Sequence, residues 1–245
     1  MAHGQKGEVV VETAAAETAA VALGSRVLAA AGQGDMVWGH LAVRDPEGRG
    51  VWMKAPGWGL EEAGPDRGVL VGWDGRSLAG PDGVHKEYPI HTELMRARPD
   101  VNVTVHTHAP AVNAFAALNR PLLPVSHDAV LFAEHGLPRY TATAGLVSTP
   151  ALGRALVEAL GPARACLMPQ HGLAAVGRDL AHAVLTALFL ERACRIQLTA
   201  QAAGEIRCWT GPEESVRKAA ECWPDSQMWA GWRYWTRRVG HAETR

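Results

Sequence analysis

The chain has 245 residues, of which 47% are hydrophobic, and its formal net charge is −1 from 24 basic and 25 acidic side chains. This hydrophobic content is sufficient for a buried core, which excludes general disorder. The balanced charge gives no basic surface of the kind that binds nucleic acid or an anionic membrane, so we expect a small-molecule partner at a defined site.

The four cysteines form no CxxC pair, and the first residues lack the charged and apolar segments of a secretory signal. We also expect no membrane-spanning helix. Charged residues such as Arg154, Glu158 and Arg192 interrupt the apolar runs before these reach the roughly 20 residues that a bilayer requires. These features predict a soluble protein in a reducing cytoplasm.

No repeat, linker or change of composition divides the chain, so we interpret residues 1–245 as one domain. Residues 1–8 are expected to be loose. Alanine, valine and leucine then recur from Glu12 to Ala31, which predicts a helix that ends at Gly32.

Two hairpins are predicted next. The segment GHLAVRDPEGRGVWMKAP alternates and turns at residues 45–48, and GVLVGWDGRSLAG alternates and turns at Asp74–Gly75. Residues 86–98 change to a helical period that ends before Pro99. The alternating segment VNVTVHTH predicts a strand, and PAVNAFAALN predicts the helix that follows it.

The second half is predicted to contain a helix over roughly 150–161, two short strands in ACLMPQHG and LAAVG, and a long helix over 179–203. Strands joined mostly by hairpins, with helices outside, indicate an α/β sandwich around a largely antiparallel sheet. The tail at 205–245 contains MWAGWRYWTRR, which predicts a cationic, aromatic amphipathic helix of the kind that packs on a neighbouring subunit.

Two histidines, His106 and His108, end the strand predicted over VNVTVHTH. Side chains two residues apart in a strand share one face and lie roughly 7 Å apart, so both imidazoles can converge on one point. A metal site needs a third ligand, for which His171 beside Gly172 is a candidate. An isolated His-x-His pair is more often two ordinary half-buried side chains, so the spacing alone leaves both interpretations open.

Four segments follow one another along the chain, namely GHLAVRDP, KAPGWGLEE, GVHKEYPIHTELMRARPDVNVTVHTHAP and PQHGLAAVGRDLAHAV. In this order they resemble the motifs of the class II aldolase/adducin family. The resemblance extends from about Ala14 to Ala203 and is to a family that includes fuculose-phosphate aldolase and ribulose-phosphate 4-epimerase. It implies a three-layer α/β/α sandwich with a central, mostly antiparallel sheet. It also implies a homo-oligomer, usually a tetramer, with active sites at subunit interfaces.

The resemblance implies one divalent metal ion per subunit, bound by His106, His108 and His171. Zinc is the first expectation, with iron, manganese and cobalt as alternatives. Glu87 corresponds to the catalytic acid/base of the family, whereas a glutamate at a helix start by itself often only offsets the helix dipole. His91, one turn after Glu87, is expected to support the metal site without binding the ion.

The residues that hold the substrate phosphate in the sugar-phosphate aldolases differ in this chain. A serine pair corresponds to His85 and Lys86, an asparagine to His40, and a Thr-Gly turn to Pro56 and Gly57. Bulky cationic or aromatic groups would remove the compact phosphate cradle. We therefore expect a non-phosphorylated carboxylate as substrate, with these positions still forming the binding wall, although Lys86 could equally be a solvated surface lysine.

Four further residues are candidates for contact with the substrate or its protons. Trp38 and Trp58 flank the turns that replace the phosphate cradle, which favours a flat or apolar substrate. Tyr234, in the tail, is the candidate to reach a partner's site. His127 and Asp128 are a candidate proton-shuttling pair, since related epimerases place a catalytic aspartate after a histidine there, but an aspartate that caps a turn explains Asp128 equally well.

These residues predict a metal-dependent carbon–carbon lyase that acts through a metal-stabilised enolate. Decarboxylation of a hydroxyaryl or oxo acid is slightly favoured over retro-aldol cleavage, because the phosphate cradle is replaced. An iron oxygenase on the same scaffold is one alternative. A non-catalytic, adducin-like scaffold is another, but such a protein has no need of an open metal site.

Overall fold

The computed structural model describes residues 4–81 and 83–242. The strands are β1 (His40–Arg44), β2 (Gly50–Lys54), β3 (Gly68–Gly72), β4 (Ser77–Ala79), β5 (Val103–Thr107), β6 (Ala165–Met168) and β7 (Gly172–Gly177). Within the described residues they form one seven-stranded sheet in the order β4-β3-β2-β1-β5-β7-β6. Every neighbouring pair is antiparallel.

Helices cover both faces of this sheet. They are α1 (Gly4–Leu28), α2 (Tyr88–Ala97), α3 (Pro110–Ala116), α4 (His127–Val130), α5 (Pro150–Leu160), α6 (Leu180–Ala203), α7 (Pro212–Cys222) and α8 (Asp225–Ala242). Residues of α1, α3, α6 and α8 form one hydrophobic core with the sheet, and residues of α2 and α5 form a second core on the other face. This three-layer arrangement confirms the predicted fold class.

The central strand β5 contributes to both layers because successive side chains point to opposite faces. Val103 and Val105 belong to the core under α1 and α6. Thr104 points to the other face, where its hydroxyl contacts His91 of α2. By the same alternation, His106 lies on the α2 face at the end of the strand, where it can meet groups from α2 and β7.

Both predicted hairpins are present. Strands β1 and β2 pair with Ala42 opposite Met53, and β3 and β4 pair across the turn that contains Asp74 and Gly75. Gly75 has a φ of 85°, which residues with side chains rarely adopt, so this turn position requires glycine. The helices predicted after the hairpins are present as α2, α3, α5 and α6.

The first helix begins earlier than predicted. Its backbone is helical from Gly4, and residues 1–3 lie outside the described part of the chain, so the expectation that residues 1–8 are loose stays a prediction. Once a helix has nucleated, each added residue costs little, and no proline interrupts this segment. At the other end a π-helical turn at Ala29–Gln33 contains Gly32 at a φ of 84°, where the helix was predicted to end.

By length and composition, residues 14–33 could cross a membrane, with a mean hydropathy of 1.2. Glu17 and Arg26 interrupt this segment, so it is not an uninterrupted apolar run of the kind that the prediction excluded, although the segment was not among the runs considered. In the fold, however, Val21, Val27 and Leu28 of this segment are buried in the core beside the sheet. The segment packs as a core helix of the domain.

The aromatic tail forms α8, which follows the unpredicted helix α7. Met228, Trp232 and Val239 of α8 are buried in the core of the same chain. Trp229 and Tyr234 remain exposed on its other side. One side of the amphipathic helix therefore packs within the chain, and the expected contact of its other side with a neighbouring subunit stays a prediction.

Candidate metal centre

Four side chains from separate parts of the chain converge beside the sheet. Glu87 immediately precedes α2, His106 lies in β5, His108 follows β5, and His171 lies in the turn before β7. Their nearest potential ligand atoms all lie within 4.8 Å of one another. Such a cluster depends on the pairing of β5 with β7, because that pairing brings His106 and His171 to the same end of the sheet.

The turn that carries His171 is tightly constrained. A Cβ atom at position 172 would collide with the carbonyl oxygen of Thr107, so the close approach of β7 to β5 requires Gly172. Gln170 has a φ of 65°, which is uncommon for a residue with a side chain and costs of order 1 kcal/mol. The backbone thus adopts a costly conformation at the point where it presents His171 to the other histidines.

The three imidazole rings surround one point. Their centroids lie 5.0 Å apart for His106 and His108, 4.9 Å for His106 and His171, and 5.3 Å for His108 and His171. The carboxylate of Glu87 closes the group, with Oε2 at 3.6 Å from His106 Nε2 and Oε1 at 3.4 Å from His171 Nε2. Three nitrogens and one carboxylate therefore face a common space.

The Nε2 atoms of His106, His108 and His171 are buried and have no hydrogen-bond partner among the described residues. Leaving a buried polar atom unpaired costs roughly 1–3 kcal/mol, so three such atoms at one point call for an explanation. A divalent cation provides one, because neutral imidazole nitrogens are strong ligands for it. Three imidazoles and a carboxylate are a donor set that fits zinc, iron or a similar divalent ion.

For His106 and His108, a hydrogen bond at Nδ1 determines which ring nitrogen faces the centre. His106 donates from Nδ1 to the carbonyl oxygen of Leu173 at 2.9 Å, and His108 Nδ1 lies 2.9 Å from Asp35 Oδ2. With the proton on Nδ1, each Nε2 keeps a free lone pair for an ion. Asp35 was not predicted, because a lone aspartate in QGDMVWGH has no spacing that relates it to His108.

Glu87 is the N-cap residue of α2, yet its side chain makes no hydrogen bond to the helix. Its Oε1 instead accepts a hydrogen bond from the backbone N–H of Val147 at 2.8 Å. Burial raises the pKa of Glu87, but the contacts with His106 and His171 outweigh burial and hold the pKa below its usual value. The carboxylate is therefore ionised at neutral pH and lies in the cavity wall.

More buried histidines lie beside the four clustered residues. His40, opposite His106 in the β1–β5 pair, has its ring centroid 5.1 Å from that of His106. His40 Nδ1 lies 2.6 Å from His91 Nε2, and His91 Nδ1 lies 2.5 Å from Thr104 Oγ1. Burial lowers the pKa of His40 and His91 well below the usual value, and neighbouring histidines lower both further. His91 thus bonds His40 and is outside the four-residue cluster.

A cavity of about 430 Å³ opens next to the cluster, and Glu87 and His108 form part of its wall. Five of the residues predicted to bind substrate also line it, namely Trp38, His40, Gly57, His85 and Lys86. One predicted metal ligand, His108, therefore borders the same space as Glu87 and most of the predicted substrate contacts.

Lys54 was not predicted, although it lies directly behind this wall. Its side chain is 1% exposed, and Nζ donates to the carbonyl oxygen of Val37 at 3.1 Å and lies 3.5 Å from His85 Nε2. Burial lowers the pKa of Lys54 to about 8, and burial together with Lys54 lowers that of His85 to about 4. A buried positive charge thus stands beside the cavity at neutral pH. A lysine within the apolar strand GVWMK was the available sequence signal.

Of the two tryptophans predicted to contact substrate, only Trp38 lines the cavity. Trp58 lies outside it, where the guanidinium of Arg67 stacks 3.6 Å from the ring centre. This cation–π contact stabilises Trp58 away from the cavity. The aromatic part of the wall is therefore Trp38, which is 52% exposed at the mouth.

The predicted proton-shuttling pair also lies outside the cavity. His127 Nδ1 is 3.3 Å from Cys222 Sγ, and Asp128 Oδ2 is 3.3 Å from Arg192 Nε. Burial raises the pKa of Asp128, while Arg192 opposes that effect. Asp128 lies in the first turn of α4, but the side chain that caps this helix is that of Ser126, which accepts a hydrogen bond from the N–H of Ala129, so the alternative of a capping aspartate is not confirmed either.

Tyr234 does not line the cavity of its own chain. Its hydroxyl accepts a hydrogen bond from Arg238 Nη1 at 3.2 Å on the exposed side of α8. Its expected contact with a partner's site stays a prediction.

Comparisons with known proteins identify the family of the chain. The family described as Class II Aldolase and Adducin N-terminal domain matches residues 19–198. The chain is 34% identical over 180 residues to 4-hydroxy-3-prenylphenylpyruvate oxygenase/4-hydroxy-3-prenylbenzoate synthase of Streptomyces roseochromogenus subsp. oscitans. The aligned region covers 69% of this chain and 62% of that relative. It is 32% identical over 198 residues to 3,4-dihydroxyphthalate decarboxylase of Arthrobacter keyseri, and this alignment covers 76% of this chain and 79% of that relative.

Among solved structures, L-fuculose 1-phosphate aldolase from Glaciozyma antarctica PI12 superposes with a TM-score of 0.82 at 24% identity. The superposition covers 94% of this chain and 90% of that protein. At this level of identity the likeness concerns the fold alone.

Proposed function

We propose that this chain, which belongs to the class II aldolase and adducin family, is a lyase that decarboxylates a non-phosphorylated hydroxyaryl or oxo acid. One observation carries this proposal. The cavity that His108 and Glu87 line also has a wall of His40, His85 and Lys86, with the buried ammonium of Lys54 behind it. Such a wall suits a carboxylate.

We assign His106, His108 and His171 as the ligands of one divalent ion per subunit, with zinc expected first and iron, manganese or cobalt as alternatives. The unpaired Nε2 atoms of these residues support the assignment. An ion bound there would supply Lewis-acid stabilisation of negative charge on a substrate oxygen.

Glu87 is the group that would move the proton. Its carboxylate is ionised, lines the cavity, and is fixed by the N–H of Val147. In decarboxylation the electrons of the broken carbon–carbon bond remain on the substrate as carbon dioxide leaves. Glu87, after taking a proton from a substrate hydroxyl, returns a proton to that carbon. Since His127 lies outside the cavity, Glu87 replaces it as the candidate for both transfers.

The choice of a carboxylate over a phosphate follows from the donors that the cavity offers. A phosphate dianion requires several donors that converge at short range, whereas a carboxylate can be held by one cation and one further donor. Lys86 is exposed at the cavity and Lys54 is buried behind His85. By its name, the relative from Arthrobacter keyseri acts on an aromatic acid, which supports the same substrate class here.

The test is an anaerobic screen of metal-loaded protein against β-oxo acids, hydroxybenzoates and hydroxy aldehydes, with fuculose and ribulose phosphates in parallel. We expect carbon dioxide release from a hydroxyaryl or oxo acid with a higher kcat/KM than cleavage of any sugar phosphate. Glu87→Gln protein with the same metal content is the matched control, because it retains the cavity without the proton-transfer group. A higher efficiency on the sugar phosphates would overturn the proposal.

An oxygenase is the second candidate. The relative from Streptomyces roseochromogenus has oxygenase in its name, and a three-imidazole site accepts iron(II). The same screen repeated in air distinguishes the two reactions. Turnover that requires dioxygen and an iron-loaded protein supports the oxygenase, and equal turnover with and without dioxygen supports the decarboxylase.

We further propose that residues 1–245 act as one domain in a cytoplasmic homo-oligomer, a tetramer in the first instance, with residues 205–245 at a subunit interface. All four cysteines are free, which is consistent with a reducing compartment. The exposed side of α8, which includes Trp229 and Tyr234, supports an interface there. Light scattering of the purified protein measures the subunit number directly.

A further inference from the structure

Three buried side chains form a hydrogen-bonded row that runs from the centre of the fold to the cavity. Thr104 Oγ1 lies 2.5 Å from His91 Nδ1, and His91 Nε2 lies 2.6 Å from His40 Nδ1. Thr104 and His91 are 0% exposed, and His40 is 3% exposed. The row joins strand β5, helix α2 and strand β1, so its geometry is set by tertiary packing.

The row has one favourable arrangement of protons. The Thr104 hydroxyl is buried, and His91 Nδ1 is its hydrogen-bond partner among the described residues, so the hydroxyl proton must be donated to that nitrogen. A neutral His91 that accepts at Nδ1 has its single ring proton on Nε2, from which it donates to His40 Nδ1. A neutral His40 that accepts at Nδ1 in turn has its own ring proton on Nε2.

His40 lines the cavity, and its Nε2 has no hydrogen-bond partner in the described part of the chain. The His40 ring lies 5.1 Å from the His106 ring on one side and 4.7 Å from the His85 ring on the other, centroid to centroid. A fixed N–H donor therefore stands between the candidate metal centre and the remaining substrate wall.

We propose that Thr104 and His91 lock His40 as a hydrogen-bond donor, and that His40 Nε2–H binds the substrate oxygen that becomes anionic beside the metal centre. The inference rests on the proposed function for its substrate class and adds the group that recognises this oxygen. His40 contacts the substrate, whereas His91 and Thr104 are positioning residues. A donor that meets an oxygen as its charge grows stabilises the transition state more than the ground state, so it acts mainly on kcat.

The kinetic test removes the far end of the row. Thr104→Val retains the shape of the side chain but removes the hydroxyl. Without that donor at Nδ1, the ring proton of His91 is no longer held on Nε2. We expect kcat to fall about tenfold with KM changed less than about twofold, and Thr104→Ser to restore kcat. His40→Phe removes the donor itself, and we expect it to lower kcat about 100-fold.

Thr107→Val is the matched control, because it removes a second buried hydroxyl from the same strand. The Thr107 hydroxyl donates to Gln33 Oε1 at 2.7 Å on the opposite face of the sheet. We expect this variant to retain the kcat of the natural protein. Equal effects of Thr104→Val and Thr107→Val would show a general packing defect and overturn the inference.

A spectroscopic readout tests the proton arrangement without any turnover. In protein labelled with ¹⁵N-histidine, protonated and unprotonated ring nitrogens have well-separated chemical shifts, and the His40 signals are those absent from His40→Phe. We expect the His40 proton on Nε2 in the natural protein and in Thr104→Ser, and a mixture of tautomers in Thr104→Val. A proton on Nδ1 of His40 in the natural protein would overturn the inference.

The two failures can be separated. If no acid is decarboxylated, the proposed function is wrong, while the ¹⁵N spectrum still decides whether Thr104 locks His40. If an acid is decarboxylated but Thr104→Val retains full kcat, the proposed function holds and the role of the row is wrong.

Discussion

Two aspartate–histidine pairs lie near opposite ends of β5 and β7. They differ in whether the histidine nitrogen that does not face the aspartate has a hydrogen-bond partner. At one end His108 Nδ1 lies 2.9 Å from Asp35, and at the other His182 Nδ1 lies 2.7 Å from Asp179. His182 Nε2 has further partners, with Asp225 Oδ1 at 3.3 Å. The Nε2 of His108 is buried with no hydrogen-bond partner among the described residues.

The comparison shows that the composition of a polar cluster does not indicate its role. Each end also has a cavity of similar size, about 430 Å³ beside His108 and about 440 Å³ beside His182. In the second cavity Arg178 and Asp225 form an ion pair, and Arg98 pairs with Asp100. Charged groups that satisfy one another stabilise the surface, whereas buried nitrogens left unpaired at one point indicate a ligand.

The largest expected effect is on metal content. Replacing His106 and His108 together by alanine should abolish stoichiometric binding of a divalent ion, because the remaining imidazole cannot hold the ion against water. Elemental analysis of protein purified without a histidine tag measures the occupancy. His182→Ala is the control from the other end and should retain the ion. Full occupancy in the double variant would contradict the assignment of these ligands.

Glu87→Gln should lower kcat about 100-fold or more while most of the metal is retained, because the amide matches the carboxylate in shape but cannot transfer a proton. Glu93→Gln is the matched control, since Glu93 is buried on the same helix but pairs with Arg96 and Arg154. It should retain kcat. Unchanged turnover of Glu87→Gln under conditions where chemistry limits the rate would assign the proton transfer to another group.

Asp35→Asn tests whether the aspartate beside His108 supports an ion. Loss of the carboxylate that orients a metal-binding imidazole typically weakens metal affinity about 10–100-fold. Asp179→Asn makes the same change beside His182 and should leave metal affinity unaltered, and asparagine is as good an N-cap for α6 as aspartate. Competition with a chelator measures both variants, and equal metal affinities for the two would remove the distinction between the pairs.

The smallest expected effect concerns the exposed cation of the cavity. Lys86→Met should raise the KM for an acidic substrate about fivefold with a smaller change in kcat, as expected when an interaction of roughly 1 kcal/mol is equally strong in ground and transition states. Steady-state kinetics at several substrate concentrations separates the two constants. An unchanged KM would indicate that Lys86 is a solvated lysine and leave Lys54 as the relevant cation.

Periodicity and turn residues were sufficient to predict most of the fold. The alternation of β1, β2 and β5 and the glycine turn at Asp74–Gly75 are local properties, because they depend on side-chain spacing along one segment. The start of α1 and the short helix α4 were not predicted. Both depend on small local preferences that contacts from distant segments readily override.

The candidate site was predicted only where the order of motifs linked distant residues. Glu87, His106, His108 and His171 converge as that order implied. Asp35 and Lys54 were missed, because each is a single polar residue whose significance depends on a neighbour far along the chain.

Trp58 and Asp128, predicted as substrate-binding and catalytic residues, do not line the cavity, and they pair instead with Arg67 and Arg192, contacts that no sequence pattern encodes. By itself the sequence determined the layers, the strand that ends in two histidines, and the family. The tertiary structure decided which polar groups remain unpaired. Hydrogen-bond satisfaction is a property of atoms brought together from different segments, so no single segment of sequence can specify it.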